Sequence, residues 1–385
     1  MTQNIKYTGK SKNTLITVVI CLLISVFCAF LAHTPEKQQQ ADEFAEYDNG
    51  KVIEILSDNT FKDERADNGW RGEQMMTVEV TTGRYKGETL LAYNYVGPIY
   101  GSPVKQGESV TMIISTYADG THKASIYEKD RRLPIIALLV IFALISVAIG
   151  GKTGAKSLLS LVYIGFNIFF VLLPGLLKGA PTIGTTLFIC VLTAAFSLAL
   201  NSGVEHKTVC AFAGTVCGMI CAFLFAAIAQ AVFKIDGLRM EEVEGLLQLR
   251  MQGYSIGLRG LLSASIIISS LGAVMDVTMG LASGITEVHE ANQKLSFKEL
   301  FASGMNIGKD MVGTMTSTLV LAFLGSSLVL ILYLYSLSLG KYQLISSSFV
   351  SIELISSICS SIGVILSIPI TNYITAWVYS RSKMK

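Results

Sequence analysis

Charged residues are scarce in this sequence. Asp, Glu, Lys and Arg make up only 15% of the 385 residues, hydrophobic residues make up 51%, and the mean hydropathy is +0.54. A soluble globular domain normally carries about 25% charged residues. The composition therefore excludes an ordinary soluble protein and predicts an integral membrane protein.

Cysteine is absent from residues 33–132, because all seven cysteines lie in apolar segments. A disulfide framework is thereby excluded in that stretch. Cys210, Cys217 and Cys221 share a helical face with Gly214, and thiols so placed suit a soft metal ion. Close helix packing by small residues explains the same face and is the favoured interpretation.

Motifs of several enzyme classes are also missing. The segment "HEANQK" has no second histidine four residues on, and "GGKTGAK" lacks the spacing of a nucleotide-binding loop. A later membrane aspartate lies in "IGKD", without the glycine that precedes the aspartate in intramembrane aspartyl proteases, which need two carboxylates at one site. We therefore expect neither enzymatic activity nor a cofactor.

Eight apolar runs are long enough to span a bilayer, since a helix needs roughly 20 residues to cross about 30 Å of hydrocarbon. They lie near residues 14–32, 133–150, 157–177, 182–201, 208–232, 261–285, 311–336 and 347–379. The sequence thus predicts an α-helical polytopic membrane protein, with an anchor at 14–32 and a seven-helix bundle over 133–379.

The distribution of basic residues predicts the orientation of this bundle. The loops on one side, with both termini, would carry twelve Lys and Arg, and the short loops on the other side six. Cytoplasmic loops carry the excess of positive charge. Residues 1–13 and 380–385 are therefore predicted to be cytoplasmic, in a bacterial cytoplasmic membrane.

The long hydrophilic insertion, residues 33–132, would then lie outside. Twelve basic and seventeen acidic residues give it a formal charge of −5, so no nucleic-acid surface is indicated. The stretch from His33 to about Asp48 resembles a flexible tether. Five segments then alternate apolar and polar side chains, with hairpin signals in "TTGRYKGE" and "YADGTH". We expect a small all-β domain, an OB-like barrel or a sandwich, that packs on the membrane part or binds a protein partner.

Asp276 stands inside the sixth apolar run, in "LGAVMDVTMGLASGITEVHE". Small and polar residues recur with it at spacings of three and four, and so share one helical face: Ser265, Ser269, Gly272, Gly280, Ser283 and Glu287. We expect this face to turn toward other helices, with Asp276 about 22 Å from the start of its helix. A carboxylate at such depth costs at least about 2.5 kcal/mol unless it is protonated, paired or hydrated.

Carboxylates also accompany small and hydroxyl residues in the two later runs. Asp310 precedes Gly313, Thr314 and Ser317, and Glu353 shares a face with Ser360 and Thr371. Such faces predict helices that approach closely and hydrogen-bond across a polar seam. Asp276, Asp310, Glu353 and Glu287 are the candidates for a proton or cation relay, and a structural carboxyl bonded to Ser or Thr is the alternative.

The segment "LSFKELFASGM" has an apolar side and opens with Ser296 and Glu299 in capping-box spacing. We expect a short amphipathic helix along the inner membrane surface, so that Asp310 lies near the cytoplasmic interface.

Three segments carry a resemblance to a known family: "GAVMDVTMGLASGITE", "SGMNIGKDMVGTMTSTLVLAFLG" and "SIGVILSIPIT". They resemble the signature of the YibE/F-like family of bacterial multi-spanning membrane proteins, from about residue 130 onward. The resemblance implies a membrane location and signature roles for Asp276, Asp310, Gly313, Thr314 and Glu353, but little about activity. Lys309 and Ser317 stand where members commonly have Arg and Asn, so bidentate pairing by Arg is lost.

The order of polar helix, acidic end, linker and Thr-rich span is also similar to the last three spans of SecF-like export subunits and the resistance-nodulation-division superfamily. Seven spans after the exterior domain exceed the five of that superfamily's repeat, so this likeness is an analogy.

Two functional hypotheses remain open from the sequence. In the first, the protein is a secondary transporter or exporter coupled to protons or cations through Asp276. In the second, it is a non-transporting scaffold or export-assisting subunit whose exterior domain binds a partner. The sequence does not specify the substrate.

Overall fold

The computed structural model describes residues 2–32, 45–116, 122–240, 243–251, 253–337 and 340–381. Most of the predicted tether, the tip of the "YADGTH" turn and residues 382–385 lie outside the described residues. The chain divides into two compact units, one of residues 35–148 and one of residues 1–34 with 149–385.

The first unit is built on a β-barrel. Its strands are β1 (Ala45–Asp58), β2 (Phe61–Asp63), β3 (Gly69–Val80), β4 (Thr89–Val96), β5 (Ser109–Thr116) and β6 (His122–Lys129). Five strands close in the order β1-β5-β6-β4-β3, and β3 pairs back to β1. The β4–β6 pair is parallel and the other pairs are antiparallel. The barrel form of the prediction is confirmed, and β2 is a short addition beside β3.

Alternation of side chains explains the barrel interior. Along β3, Met76, Val78 and Val80 are buried while the residues between them face outward, as the two-residue period of a strand requires. The same alternation buries Val110 and Met112 of β5. Because β1 already begins at Ala45, the end of the predicted tether is in fact strand.

The helices of the chain, among the described residues, are α1 (Thr2–Ala32), α2 (Arg132–Phe166), α3 (Leu173–Leu177), α4 (Thr182–Ser202), α5 (His206–Phe233), α6 (Val243–Met251), α7 (Leu261–Ala291), α8 (Phe297–Ser326), α9 (Leu328–Ser336), α10 (Lys341–Ile345) and α11 (Ser348–Arg381). A π-helical segment, Asn167–Leu172, joins α2 to α3.

Seven helical stretches of the described chain are long and apolar enough to cross a membrane, where eight were predicted. The difference arises at residues 132–177, where two predicted spans form one stretch of 46 residues. Gly151 breaks it, because its φ of 54° and ψ of −131° are not helical. The break separates two segments that are each long enough to span a bilayer.

The helix that carries Asp310 differs from the prediction. The capping box is present, since Glu299 accepts from the Ser296 amide at 2.7 Å and Ser296 accepts from the Glu299 amide. The capped helix does not stop as a separate interfacial element, however, but continues as α8 to Ser326. The helix in this region therefore runs over Phe297–Ser326 and not over the predicted 311–336. Asp310 lies 13 residues, or about 20 Å, inside a continuous helix.

Close approach of backbones occurs between α5 and α11. A Cβ added to Gly363 would lie 2.6 Å from Cβ of Ala222, and one added to Gly218 would lie 2.7 Å from Val274 and 2.8 Å from Ser367. Small residues at four-residue spacing thus let α5 pack directly on α11, with α7 beside both.

Candidate functional site

Helix α7 has a buried polar face that hydrogen-bonds to its neighbours. Thr278 lies 2.8 Å from Thr215 of α5, measured between hydroxyl oxygens, and both side chains are fully buried. Gln230 of α5 donates to the Ser263 hydroxyl at 2.7 Å. These bonds satisfy polar groups inside the bundle, where unpaired groups would be costly. Sequence analysis missed Thr215 and Thr278, because they fall outside the stripe that contains Asp276.

One predicted contact of the polar seam is present between α7 and α11. The hydroxyl oxygens of Ser269 and Ser360 lie 3.1 Å apart. Thr371, also in the predicted seam, is buried beside Gly214 of α5. Asn372, which the prediction did not include, donates to the carbonyl oxygen of Phe301 in α8 at 2.8 Å.

Asp276 lies on the other face of α7. It is the central residue of this 31-residue helix, and with Gly272 and Gly280 it is exposed in the single chain. The predicted face contacts other helices at Ser269 and Gly280, but the expectation is wrong for the stretch around Asp276, which no described helix of the single chain covers. Val274, Val277 and Leu281 recur with the same helical period and bury much more apolar surface, so they occupy the packed side.

Helix α8 flanks the exposed face of α7. A Cβ on Gly280 would lie 3.1 Å from Met311, and one on Gly284 would lie 3.2 Å from Ile307. The two helices are therefore antiparallel, because the contact residue on α8 moves from Met311 back to Ile307 as the one on α7 moves from Gly280 forward to Gly284. Asp276 is one turn before Gly280 and Thr314 is nearly one turn after Met311, so these two residues lie at the same level.

The exposed surface between these helices will be called the α7–α8 groove: Gly272, Asp276, Gly280 and Ser283 of α7, with Asp310, Gly313, Thr314 and Ser317 of α8. Seven of the eight are exposed and Ser283 is half-buried. The hydroxyl of Thr314 donates to the Met311 carbonyl, and that of Ser317 to the Gly313 carbonyl. Each hydroxyl keeps its acceptor lone pairs available to a ligand or water.

The carboxylate of Asp276 has no hydrogen bond or ion pair within the described part of the chain. The same is true of Asp310 and Glu287. Glu287 is exposed 11 residues further along the same face of α7, about 16 Å from Asp276. The structure thus places three carboxylates along one open surface.

Glu353 is not part of the α7–α8 groove. It is half-buried in α11. The bonded pair Ser269 and Ser360 marks one level of the bundle. Glu353 is seven residues before that level on α11, and Asp276 is seven residues after it on α7. The residues of α7 and α11 that lie side by side increase in number together along both helices, so the two helices are parallel. Glu353 and Asp276 are therefore about 21 Å apart along the bundle.

The three candidate thiols do not form a metal cluster. Cys210 is buried and Cys217 and Cys221 are half-buried on α5. In the ranges that the structure describes, no three His, Cys, Asp or Glu side chains are grouped to hold a metal ion. The face that carries Gly214 is used for packing on α11, as the favoured interpretation predicted.

A cavity of about 1010 Å³ opens at the amino-terminal ends of α4 and α7. Thr182, Arg250 and Arg259 line it, with the loop from Gly253 to Gly260, and no acidic residue of the described ranges lies in its lining. The cavity is separate from the carboxylates, since Gly260 is 16 residues, or about 24 Å, from Asp276.

These features define a class of protein: a bundle with helices of membrane-spanning length and apolarity, a polar groove at mid-helix, and an appended β-barrel. The YibE/F-like protein family matches residues 138–381, and the chain belongs to that family. No curated protein and no solved structure matches the chain. The looser likeness to SecF-like subunits therefore stays an analogy.

Proposed function

We propose that the protein is a secondary transporter or exporter of the bacterial cytoplasmic membrane, driven by protons or cations that bind at Asp276. The observation that carries the proposal is an exposed, unpaired carboxylate at the centre of a helix of membrane-spanning length. Facing lipid there would cost at least about 2.5 kcal/mol. The α7–α8 groove is therefore lined by water or covered by protein in the membrane.

The proposed topology has eight crossings with both termini in the cytoplasm. The stretch Arg132–Leu177 supports it, because 46 helical residues would extend about 69 Å, more than twice the hydrocarbon thickness. Two crossings that meet at Gly151, next to Lys152, fit the bilayer and put positive charge in a cytoplasmic turn. Residues 33–132 are then outside.

In the proposed cycle, Asp276 alternates between a protonated and an ionised state, and hydration of the groove stabilises the ionised state. The hydroxyls of Thr314 and Ser317 offer oxygen ligands along α8, and Asp310 and Glu287 extend the polar path along the two helices. Glu353 is a separate station near the beginning of α11. No enzymatic step is part of the proposal.

The alternative is a scaffold or export-assisting subunit, and the same groove supports it. A helix of a partner protein could cover the exposed glycines and hydroxyls, as small residues commonly permit between membrane helices. Asp276 would then bond to the partner and would not exchange protons with water.

Proton flux in liposomes separates the two functions. Wild type, Asp276→Asn and the matched control Glu290→Gln, which removes an exposed carboxylate from the last turn of α7, are compared with an internal pH dye while metal ions and small solutes are screened. We expect solute-dependent flux in wild type and Glu290→Gln, and none in Asp276→Asn. Equal flux in Asp276→Asn would refute the role of Asp276. If no solute moves protons and Asp276→Asn restores a deletion strain fully, the scaffold function replaces the transporter.

A further inference from the structure

One end of the β-barrel displays large apolar side chains. Ile99 and Tyr100, in the turn after β4, are 82% and 81% exposed. Phe61 and Trp70, on the hairpin of β2 and β3, are also exposed. The turn and the hairpin are adjacent, because a Cβ on Gly69 would lie 3.3 Å from Pro98. The four side chains Phe61, Trp70, Ile99 and Tyr100 will be called the apolar end.

The apolar end is also the end at which the chain leaves the barrel. Strands β4 and β6 are parallel, so the turn that follows β4 and the residue that ends β6, Lys129, lie at the same end. Strand β3 is antiparallel to β4, which brings its first residues there as well. Only Asp130 and Arg131 then separate β6 from α2, whose apolar sequence begins at Leu133.

The connection between the barrel and α2 is fixed by hydrogen bonds. Asp130 accepts from the Arg132 amide at 2.9 Å and from its guanidinium at 2.9 and 2.7 Å. Arg131 pairs with Glu128 at 2.8 Å. Four residues from Lys129 to Leu133 span at most about 14 Å. The apolar end therefore lies within one headgroup layer of the first apolar turn of α2.

The turn that presents Ile99 and Tyr100 is held by hydrogen bonds to the barrel and within itself. Gln74, buried in the barrel, accepts from the Val104 amide at 2.9 Å and from Asn94, which in turn donates to the Ser102 carbonyl. The Gly97 amide donates to the Tyr100 carbonyl at 2.7 Å. Gly101 has a φ of +75°, and a Cβ there would strike the Tyr95 carbonyl. The exposed side chains are thus held outward by the fold.

We infer that the apolar end is seated in the outer headgroup region of the bilayer, as a second attachment of the barrel beside α2. The inference rests on the proposed membrane location. Trp and Tyr favour this region because their rings are apolar and their polar atoms remain hydrated. The ammonium of Lys62 lies 5.6 Å from the ring centroid of Trp70, and its long side chain can reach lipid phosphates from the same end.

Tryptophan fluorescence in the full chain tests this, since the sequence has only Trp70 and Trp377. The protein is reconstituted in vesicles of phosphatidylcholine and phosphatidylglycerol, with and without a nitroxide at carbon 5 of the acyl chain. Ile99→Trp and the matched control Lys86→Trp are each introduced into the Trp70→Phe, Trp377→Phe background. Lys86 is exposed in the turn that precedes β4, and the eight residues of β4, about 26 Å of strand, separate that turn from the one that carries Ile99.

We expect the lipid nitroxide to quench the tryptophan at position 99 at least threefold more than the one at position 86, and aqueous iodide to show the reverse order. Quenching at position 99 by iodide alone overturns the inference. Protection of position 99 from both quenchers also overturns it, because protein would then cover the apolar end. Trp70→Phe, which retains Trp377 in α11, is the reference: if the lipid nitroxide does not quench Trp377, the membrane location itself fails.

Discussion

Gly363→Ala tests whether α5 and α11 pack through their backbones. The new Cβ would lie 2.6 Å from Cβ of Ala222 and 3.0 Å from the carbonyl oxygen of Gly218. Neither atom can move away by rotation of a side chain, so the helices must separate. Overpacking of this kind costs about 1–3 kcal/mol, and alanine returns up to about 1 kcal/mol of helix propensity. The expected net loss is about 0–2 kcal/mol.

Gly313→Ala is the matched control, because it makes the same chemical change in α8 where no atom lies within 4 Å of the new Cβ. Gly313→Ala should therefore stabilise the protein by up to about 1 kcal/mol, the gain in helix propensity from glycine to alanine. The variants should therefore differ by about 1–3 kcal/mol in free energy of unfolding, measured by reversible SDS titration in mixed micelles and followed by circular dichroism. Equal stability of the two variants would refute direct backbone packing at Gly363.

Three further predictions concern buried bonds and pH. Tyr163→Phe leaves the buried Ser25 hydroxyl without the partner it has at 2.6 Å and should cost about 1–3 kcal/mol in the same titration. Gln74→Leu removes the acceptor that holds the 102–104 loop, so hydrogen exchange of the Val104 amide should accelerate at least tenfold. Hydrogen bonds from Thr60, first its side chain and then its amide, lower the pKa of Asp58 below its usual range. The ionised Asp58 carboxylate therefore stabilises the barrel at neutral pH, and this stabilisation is lost as the pH falls below about 4. In Asp58→Asn the melting temperature of the barrel, followed by Trp70 fluorescence, should fall less steeply with decreasing pH than in wild type.

Matched variants sharpen these tests. Tyr342 is 90% exposed, so Tyr342→Phe should leave the unfolding free energy unchanged. A loss equal to that of Tyr163→Phe would mean that the hydrogen bond is not the cause. If hydrogen exchange of the Val104 amide is unchanged in Gln74→Leu, the assigned bond to Gln74 is contradicted. If the melting temperature of Asp58→Asn falls with decreasing pH as steeply as that of wild type, the assigned bonds to Asp58 are contradicted.

The sequence predicts the barrel well, because β3, β4 and β5 alternate buried and more exposed side chains over a short range. Strand β2 was missed, since its three residues have no buried member that would reveal the period. The predicted hairpin signal "TTGRYKGE" is also present as a turn, in which Gly83 and Gly87 have positive φ angles of 74° and 91°.

The orientation of α7 could not be predicted, because its two faces have the same period. A stripe with Gly272 and Asp276 and a stripe with Val274 and Leu281 both fit a helix, and the choice depends on which neighbours bury more apolar area. The level of Thr314 relative to Asp276 depends on contacts between helices. Local patterns carry no such information, and the end of α8 at Ser326 was misjudged for the same reason.

The bonds that hold α1 to the bundle have a consequence for biosynthesis. Ser25 bonds to a residue 138 positions later, and Thr14 accepts from the Val204 amide, 190 positions later. At about 5–20 residues per second, the ribosome delivers Tyr163 roughly 7–28 s after Ser25. The whole barrel is synthesised in that interval. The first helix is thus synthesised long before these partners exist, and the barrel can fold before α1 bonds to Tyr163 and Val204.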